Sequence, residues 1–542
     1  MVVTFSACRF FVFCLFALSL VSSVSATNWY ISNKQYGTGD ATSWATARNL
    51  KDFTESFYSS RVMPGDTVYI DGGVDNLTYT YVNNGNSNFS TFYWHNSGTT
   101  DKRIVLTRGK DVGHNGTPII EGAFADTSKG YYGKNAFYSN AINFELSHMK
   151  FTQKDTMNYR LTNGNLRHIL YFEGVGSYDI LYNDVDYTYG TGIKIYRPQN
   201  VRILHNTITT RVTNDIYSED GMYISGANDG VNYGNLEIAY NTIISRNGYN
   251  GAADNNHDDL IQVYALDLRG GTSSVHHNFF GQFAMQTPKY GNGLQFERNV
   301  LGTWNFYNNI WAYNNSGRAY LIIGRFVDVN PNNPLANISN PLIVNMYNNI
   351  FYSTRASAVM FNDGINTLRY KNNVVYHPGS NIFVMTANAY ANMQADMDYN
   401  QYYVDERYCI WNSTGQAWIG KTAFLTRFPQ PHSQFGNITL VNVGTASSAG
   451  YMYVSGSSGI DDGTPIAWIV DDYAGTSRPQ GPAWDIGAFE YISGAIIYHP
   501  ADLNQDGCVS LGEISAYVGL WLNGEITLGT VSGGVSEWLG GC

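Results

Sequence analysis

Charge is scarce in this sequence. Asp, Glu, Lys and Arg make up 14% of it, and the 43 acids outnumber the 32 Lys and Arg residues, for a formal net charge of −11. No basic excess is present to track a phosphate backbone, so a nucleic-acid reader is excluded. Cysteine is scarce too. Five occur in 542 residues, and two of them lie in the first 26. The remaining three, Cys409, Cys508 and Cys542, allow one intrachain disulfide at most, with Cys508 and Cys542 bracketing the C-terminal unit. Long apolar runs are absent after residue 26. The N-terminal run Phe10 to Val21 follows Arg9 and ends in small residues through Ser25-Ala26, the pattern of a cleaved secretory signal over 1–26. The chain is therefore expected to be secreted, to an extracellular or cell-surface location, with no membrane span after signal cleavage.

What is abundant is Tyr, 42 copies, and a repeated phrase. An aromatic residue, His or Lys precedes Asn, then any residue, then an apolar one. The Asn positions are 183, 206, 241, 278, 308, 348 and 372, separated by 23, 35, 37, 30, 40 and 24 residues. Near-periodic return of a strand-like phrase marks a solenoid, whose turns bury their apolar side only by stacking. A second set alternates strictly: Ile193-Lys194-Ile195, Met222-Tyr223-Ile224, Ile261-Gln262-Val263, Leu294-Gln295-Phe296, Leu321-Ile322-Ile323 and Val359-Met360-Phe361. Outer members point inward and middle members outward. The expectation is an all-β chain: a right-handed parallel β-helix over 27–493, with Asn at bends hydrogen-bonding to the coils above and below. Irregular spacing disfavours the equal blades of a propeller.

Residues 502–513 read Asp-Leu-Asn-Gln-Asp-Gly-Cys-Val-Ser-Leu-Gly-Glu and satisfy each constrained position of an EF-hand loop. Asp502, Asn504 and Asp506 supply side-chain oxygens, Cys508 a carbonyl, Ser510 a water-mediated contact and Glu513 a two-oxygen clamp. The expected cofactor is calcium, held in a small α-helical domain over 494–542. Following a long exported module, this unit resembles a type I dockerin, which implies a cohesin-like scaffold as partner. That family carries two such loops, and one is present here.

The densest acidic cluster, Asp254-Asn255-Asn256-His257-Asp258-Asp259, precedes the strand at Leu260, and Glu219-Asp220 stands at the matching place one coil earlier. Stacked coils bring Asp220 and Asp259 within about 5 to 10 Å, close enough to share a cation. Oxygen-only ligands favour calcium. The site is expected to be exposed on the ladder face. Asp254 to Asp259, followed by "GNGLQFE", resembles polysaccharide lyase family nine, as do the opening phrases "GDTVYIDGG" and "KRIVLTRG". The resemblance implies calcium on Asp254, Asp258 and Asp259, an extracellular polysaccharide as substrate, acidic on the lyase reading, and a Lys base. The stacked place of Asp220 adds it to the expected metal ligands. Gln295 stands at that Lys position, and Gln takes no proton at neutral pH. Lys194, three coils away on the same ladder, Lys289 and Arg298 are the candidate replacements. Gln262, Gln295, Arg197 and Arg325 are the candidate substrate contacts. Two other readings stay open. Asp220, Asp258 and Asp259 with His257 fit the paired carboxylates of a glycoside hydrolase. A Tyr-rich face fits glycan binding without turnover.

Overall fold

The computed structural model describes residues 26–80, 90–122, 135–153, 168–187, 190–210, 220–226, 231, 233–245, 259–283, 292–298, 300–313, 319–324, 342–353, 357–444, 446–493, 501–502, 509–522 and 535. Short strands of mostly four or five residues succeed one another around a three-sided coil. One coil runs through Leu236–Ala239, Thr242–Ser245 and Ile261–Tyr264. Among the described residues, strands pair in parallel with those one coil on, the last pair of sheet 3 apart, giving sheet 1 with thirteen strands and sheets 2 and 3 with twelve each. Sheet 1 ends at Gln394–Asp398, sheet 2 at Gln434–Phe435 and sheet 3 at Ala417–Ile419. The last pair of sheet 3, Ile410–Asn412 with Ala417–Ile419, is an antiparallel hairpin. The chain is a parallel β-helix.

The alternation seen in the sequence sets which residues fill it. Ile193, Met222, Ile261, Leu294 and Leu321 are in direct register on sheet 3 and have no solvent exposure. Sheet 2 contributes Val185, Ile208, Ile243, Phe280, Trp311 and Phe351 in one column. Phe280 and Trp311 stack at 3.9 Å between ring centres. Cys409 is a free thiol, fully buried in the same core.

The bend from sheet 1 to sheet 2 is two residues long and is set by a buried Asn ladder. Each Asn carboxamide oxygen accepts the side-chain N–H of the ladder Asn one coil earlier. The Nδ2 to Oδ1 distances run 3.2, 3.0, 3.0, 3.0, 3.0, 3.0 and 3.2 Å along Asn183, Asn206, Asn241, Asn278, Asn309, Asn349, Asn373 and Asn400. The same oxygen takes the backbone N–H of the earlier Asn, as in Asn206 to Asn241 at 2.8 Å. This corrects the repeat read from sequence. In three coils the ladder residue is the second Asn of the phrase, at 309, 349 and 373, not 308, 348 and 372. The residue before each ladder Asn has left-handed backbone, φ between +53° and +58°. Asn tolerates that region better than most residues, so Asn308, Asn348 and Asn372 fill it.

Those three Asn residues have a second task. Among the described residues, 436–491 add no strand to the three sheets and instead pack back along this bend. Asn308 donates to the Asp471 carbonyl at 2.8 Å, Asn348 to the Asp485 carbonyl at 3.3 Å, and Asn372 to the Thr464 carbonyl at 2.7 Å. The segment is pinned by Arg478, whose buried guanidinium lies 2.5 Å from the Glu490 carboxylate and also donates to the Gly487 carbonyl at 2.8 Å. Gly487 has φ +99°, and a Cβ there would meet Val374 at 2.9 Å. The stretch up to 493 thus includes a covering segment as well as coils.

Of the C-terminal unit, Leu511–Leu522 is a helix, and Ala501, Val509, Ile514 and Tyr517 form a small buried cluster. Among the described residues no helix is long and apolar enough to cross a membrane.

Candidate functional site

The outward face of sheet 3 carries a set of ring and cationic side chains in contact with one another. Middle residues of seven consecutive strands form one row in register: Tyr93, Tyr138, Tyr171, Lys194, Tyr223, Gln262 and Gln295. The row then turns apolar at Ile322 and Met360. Two residues along each strand, a second row reads Tyr196, Ser225, Tyr264 and Glu297. Alternation directs both rows away from the core, because their neighbours face it. Ser225 and Gln262 are nonetheless covered, 4% and 7% accessible, so Gln262 is not the open substrate contact expected from sequence.

The rings touch along the row. Tyr93 and Tyr138 stack at 5.5 Å, and Tyr171 meets Tyr138 edge-on at 5.3 Å. The Lys194 ammonium lies 5.7 Å from the Tyr171 ring centre and 5.1 Å from that of Tyr223. Cation–π attraction to both rings holds it in the row. The Arg298 guanidinium lies 5.0 Å from the Tyr264 ring and that of Arg197 5.0 Å from Tyr196. Both Arg residues have left-handed backbone, φ +56° and +57°, where the chain leaves the sheet. The Tyr138 hydroxyl donates to the Glu173 carboxylate. Burial, then Glu173, raises the Tyr138 pKa; burial, then Glu55, raises that of Tyr93. Both phenols are therefore protonated donors at neutral pH.

At the Gln end the polar groups are tied to one another. Gln262 Nε2 donates to Glu297 at 2.5 Å, and Asn292 Nδ2 donates to Gln295 Oε1 at 2.9 Å. By the spacing of neighbouring strands, Lys194 and Gln295 are about 14 Å apart.

Asp220 and Asp259 do occupy matching places before consecutive strands, but they are not exposed. They are 4% and 1% accessible. Asp220 Oδ1 accepts the Asp259 backbone N–H at 3.0 Å, and Asp259 Oδ1 accepts both N–H groups of Asn292 at 2.8 Å. Backbone bonds continue the same stack, from Gly192 to the Asp220 carbonyl and from Gly221 to the Asp259 carbonyl. This is a second corner ladder, with carboxylates doing what Asn does at the other bend. The pairing expected from sequence is present; its exposure is not, because one oxygen of each carboxylate satisfies a buried amide that would otherwise be orphaned. Asp259→Ala removes the acceptor of two buried N–H groups and is expected to lower stability by about 2–4 kcal/mol. Urea unfolding that leaves the midpoint unchanged would contradict this role.

Asp254, Asp258, His257, Lys289 and Arg325 lie outside the described residues, as do Asn504, Asp506 and Cys508 of the C-terminal loop. Glu513 accepts the Ser510 backbone N–H at 2.9 Å and its hydroxyl at 2.7 Å, a capping box at the start of the last helix. Asp502 is buried at the other end of the loop. Among the described residues no three His, Cys, Asp or Glu gather closely enough to hold a metal. What they supply is a partial, oxygen-only donor set, of the chemistry that suits calcium.

Sequence reading missed most of the face. Tyr93, Tyr138, Tyr171, Tyr264, Glu173 and Glu297 were not singled out, although "STFYW", "NAFYS" and "LYF" show the same alternation as the later strands.

No family model matches the sequence, and no curated protein matches it. Among solved structures, the crystal structure of pectate lyase Pel9A is similar with a TM-score of 0.47 and 14% identity, covering 86% of this chain and 97% of that one. GH136 lacto-N-biosidase from Eubacterium ramulus gives 0.31 and 10%, over 76% and 68%. A mannuronic acid specific polysaccharide family 6 lyase from human gut microbiota gives 0.26 and 10%, over 74% and 91%.

Proposed function

We propose that this is a secreted carbohydrate-active protein that lays an extracellular, acidic polysaccharide along the outer face of sheet 3 and cleaves it by β-elimination. The observation that carries the reading is Lys194, held between Tyr171 and Tyr223 in a row of outward side chains seven coils long. Tyr rings offer flat apolar faces to sugars and hydroxyls to their oxygens. In the reaction, Lys194 Nζ in its amine form takes the proton from the carbon next to the uronate carboxylate. The bond from the neighbouring carbon to the glycosidic oxygen breaks, a carbon–carbon double bond forms, and Tyr171 or Tyr223 delivers a proton to the leaving oxygen. Arg197 and Arg298 flank the row as carboxylate partners. The test is an unsaturated, near-ultraviolet-absorbing end released from acidic polymers.

Calcium held by Asp254 and Asp258 would add positive charge for the substrate carboxylate. The two-carboxylate hydrolase reading fits less well. Asp220 and Asp259 are engaged as caps, and Glu173 and Glu297, both on the face, are four coils or about 19 Å apart. That exceeds the roughly 6.5–9.5 Å an inverting pair needs. Glycan binding without turnover is the second reading, favoured by Gln262 and Gln295 at the two positions that continue the row.

The C-terminal loop is proposed to bind one calcium ion through Asp502, Asn504, Asp506, the Cys508 carbonyl and Glu513, and a cohesin-like scaffold is its candidate partner. Calorimetry on the full chain is expected to show one event that Glu513→Gln abolishes. No difference between the two proteins at millimolar calcium, the range of weak extracellular sites, would remove the loop as its source.

A further inference from the structure

We propose a second ligand site, for a carboxylate-bearing sugar, at the bend between sheets 1 and 2, across the coil from the sheet 3 face. A cleft of about 340 Å³ opens there, with Arg108, His148, Lys150, Tyr182 and Asp184 in its lining. Its charges do not cancel. Lys150 is paired with Asp184 at 2.9 Å, in register on adjacent strands, and also lies 3.8 Å from Asp186, so its charge is spent on these acids. Arg108, exposed at the end of the strand Ile104–Arg108, has no carboxylate partner among the described residues. One guanidinium is therefore left to offer a planar, two-point contact to a carboxylate.

The cleft also has a ring to pack against. His148 begins a column of rings on the left-handed corner positions. Ring centres are 5.0 Å apart from His148 to Tyr182, 4.5 Å to His205, 4.7 Å to Tyr240 and 4.7 Å to His277. Inner rings cover one another's faces. His148, at the end, has a ring neighbour on one side only among the described residues. Its other face is left for the cleft. Burial, then the nearby Arg108, lowers the His148 pKa, so the ring is neutral at pH 7 and does not compete for the anion. The column continues as exposed edges, with Tyr182 50% and Tyr240 39% accessible. It rises one coil at a time, about 4.8 Å, a step comparable to one sugar unit of an extended chain. A longer acidic glycan is thereby guided away from the cleft along the bend. An inorganic anion would satisfy Arg108 but leave the ring face unused, and this distinguishes the two occupants.

The test titrates the full chain, by calorimetry and by the His148 ring signals in NMR, with a uronic-acid disaccharide, its neutral counterpart and inorganic phosphate. The disaccharide is expected to shift the His148 signals. The neutral sugar and phosphate are each expected to bind at least about tenfold more weakly. Arg108→Ala is expected to weaken uronide binding at least about tenfold. His148→Asn, which keeps a residue suited to the left-handed backbone, is expected to weaken it by a smaller factor. Lys194→Met is expected to leave these signals unchanged, so the site stands or falls separately from sheet 3. Unaltered binding in Arg108→Ala, phosphate binding as tight as uronide, or loss in Lys194→Met alone would each overturn the proposal.

Discussion

Asn278→Ala is expected to destabilise the solenoid by about 3–5 kcal/mol. The side chain is fully buried and serves three neighbours. Its oxygen accepts the Asn241 backbone N–H at 2.9 Å and the Asn241 Nδ2 at 3.0 Å, while its own Nδ2 donates to the Ile238 carbonyl at 2.8 Å. Truncation orphans the Asn241 backbone N–H in a dry corner and removes one bond each from the Ile238 carbonyl and from Asn241 Nδ2, which keeps the Ile203 carbonyl at 2.7 Å. Each unsatisfied buried group costs about 1–3 kcal/mol. Asn309 Oδ1 keeps one donor, the Asn278 backbone N–H at 3.1 Å, so the break is local to one coil boundary. Nearest-neighbour coupling makes such a boundary the place where a solenoid comes apart. Thr207→Ala, one residue after ladder Asn206 and exposed, is the control and should stay within about 0.5 kcal/mol of wild type. Equal urea midpoints for Asn278→Ala and Thr207→Ala would mean that the ladder is incidental.

The same ladder explains how far the sequence could be read. Its buried Asn column and the alternating strands of sheet 3 were legible because both follow from fixed geometry: one amide per bend, and one inward side chain in two. The register slipped by one at Asn308 and Asn348 because Tyr307 and Tyr347 precede them and mimic Tyr182 and Tyr240, and at Asn372 because Lys371 fits the same place in the phrase. What separates the two cases is tertiary. In the later coils the segment 464–487 lies against the bend, and an amide that can bond to it replaces a ring. Asp220 and Asp259 were located correctly and misjudged in exposure. A carboxylate capping an amide one coil away looks, in one dimension, like an acidic cluster. The part of the row from Tyr93 to Tyr171 was not legible because its strands are separated from one another and from Lys194 by intervals of 45, 33 and 23 residues, so alignment needs the coil lengths first.

Lys194→Met is expected to reduce the rate of unsaturated-end formation by about 10²–10⁴-fold, the span over which a positioned proton acceptor contributes. Met keeps the length and the contact with the two Tyr rings but can neither take a proton nor carry charge. Lys194 is only half-buried on the outer face, so the fold should survive and circular dichroism should be unchanged. The binding reading makes the opposite forecast: no unsaturated product from wild type on any acidic polymer, with affinity retained. A third case is separable as well. If the reacting carbon instead sits at the Gln295 position, three coils along the row, with Arg298 as the base, then Lys194→Met should leave the rate intact and Gln295→Lys should raise it. That substitution loses the acceptor that Asn292 uses at 2.9 Å, so a gain would have to outweigh a broken hydrogen bond. A fall in the rate with Lys194→Met and no gain with Gln295→Lys would place the reacting carbon between Tyr171 and Tyr223. There a cation and two phenols stand on adjacent coils, about 4.8 Å apart.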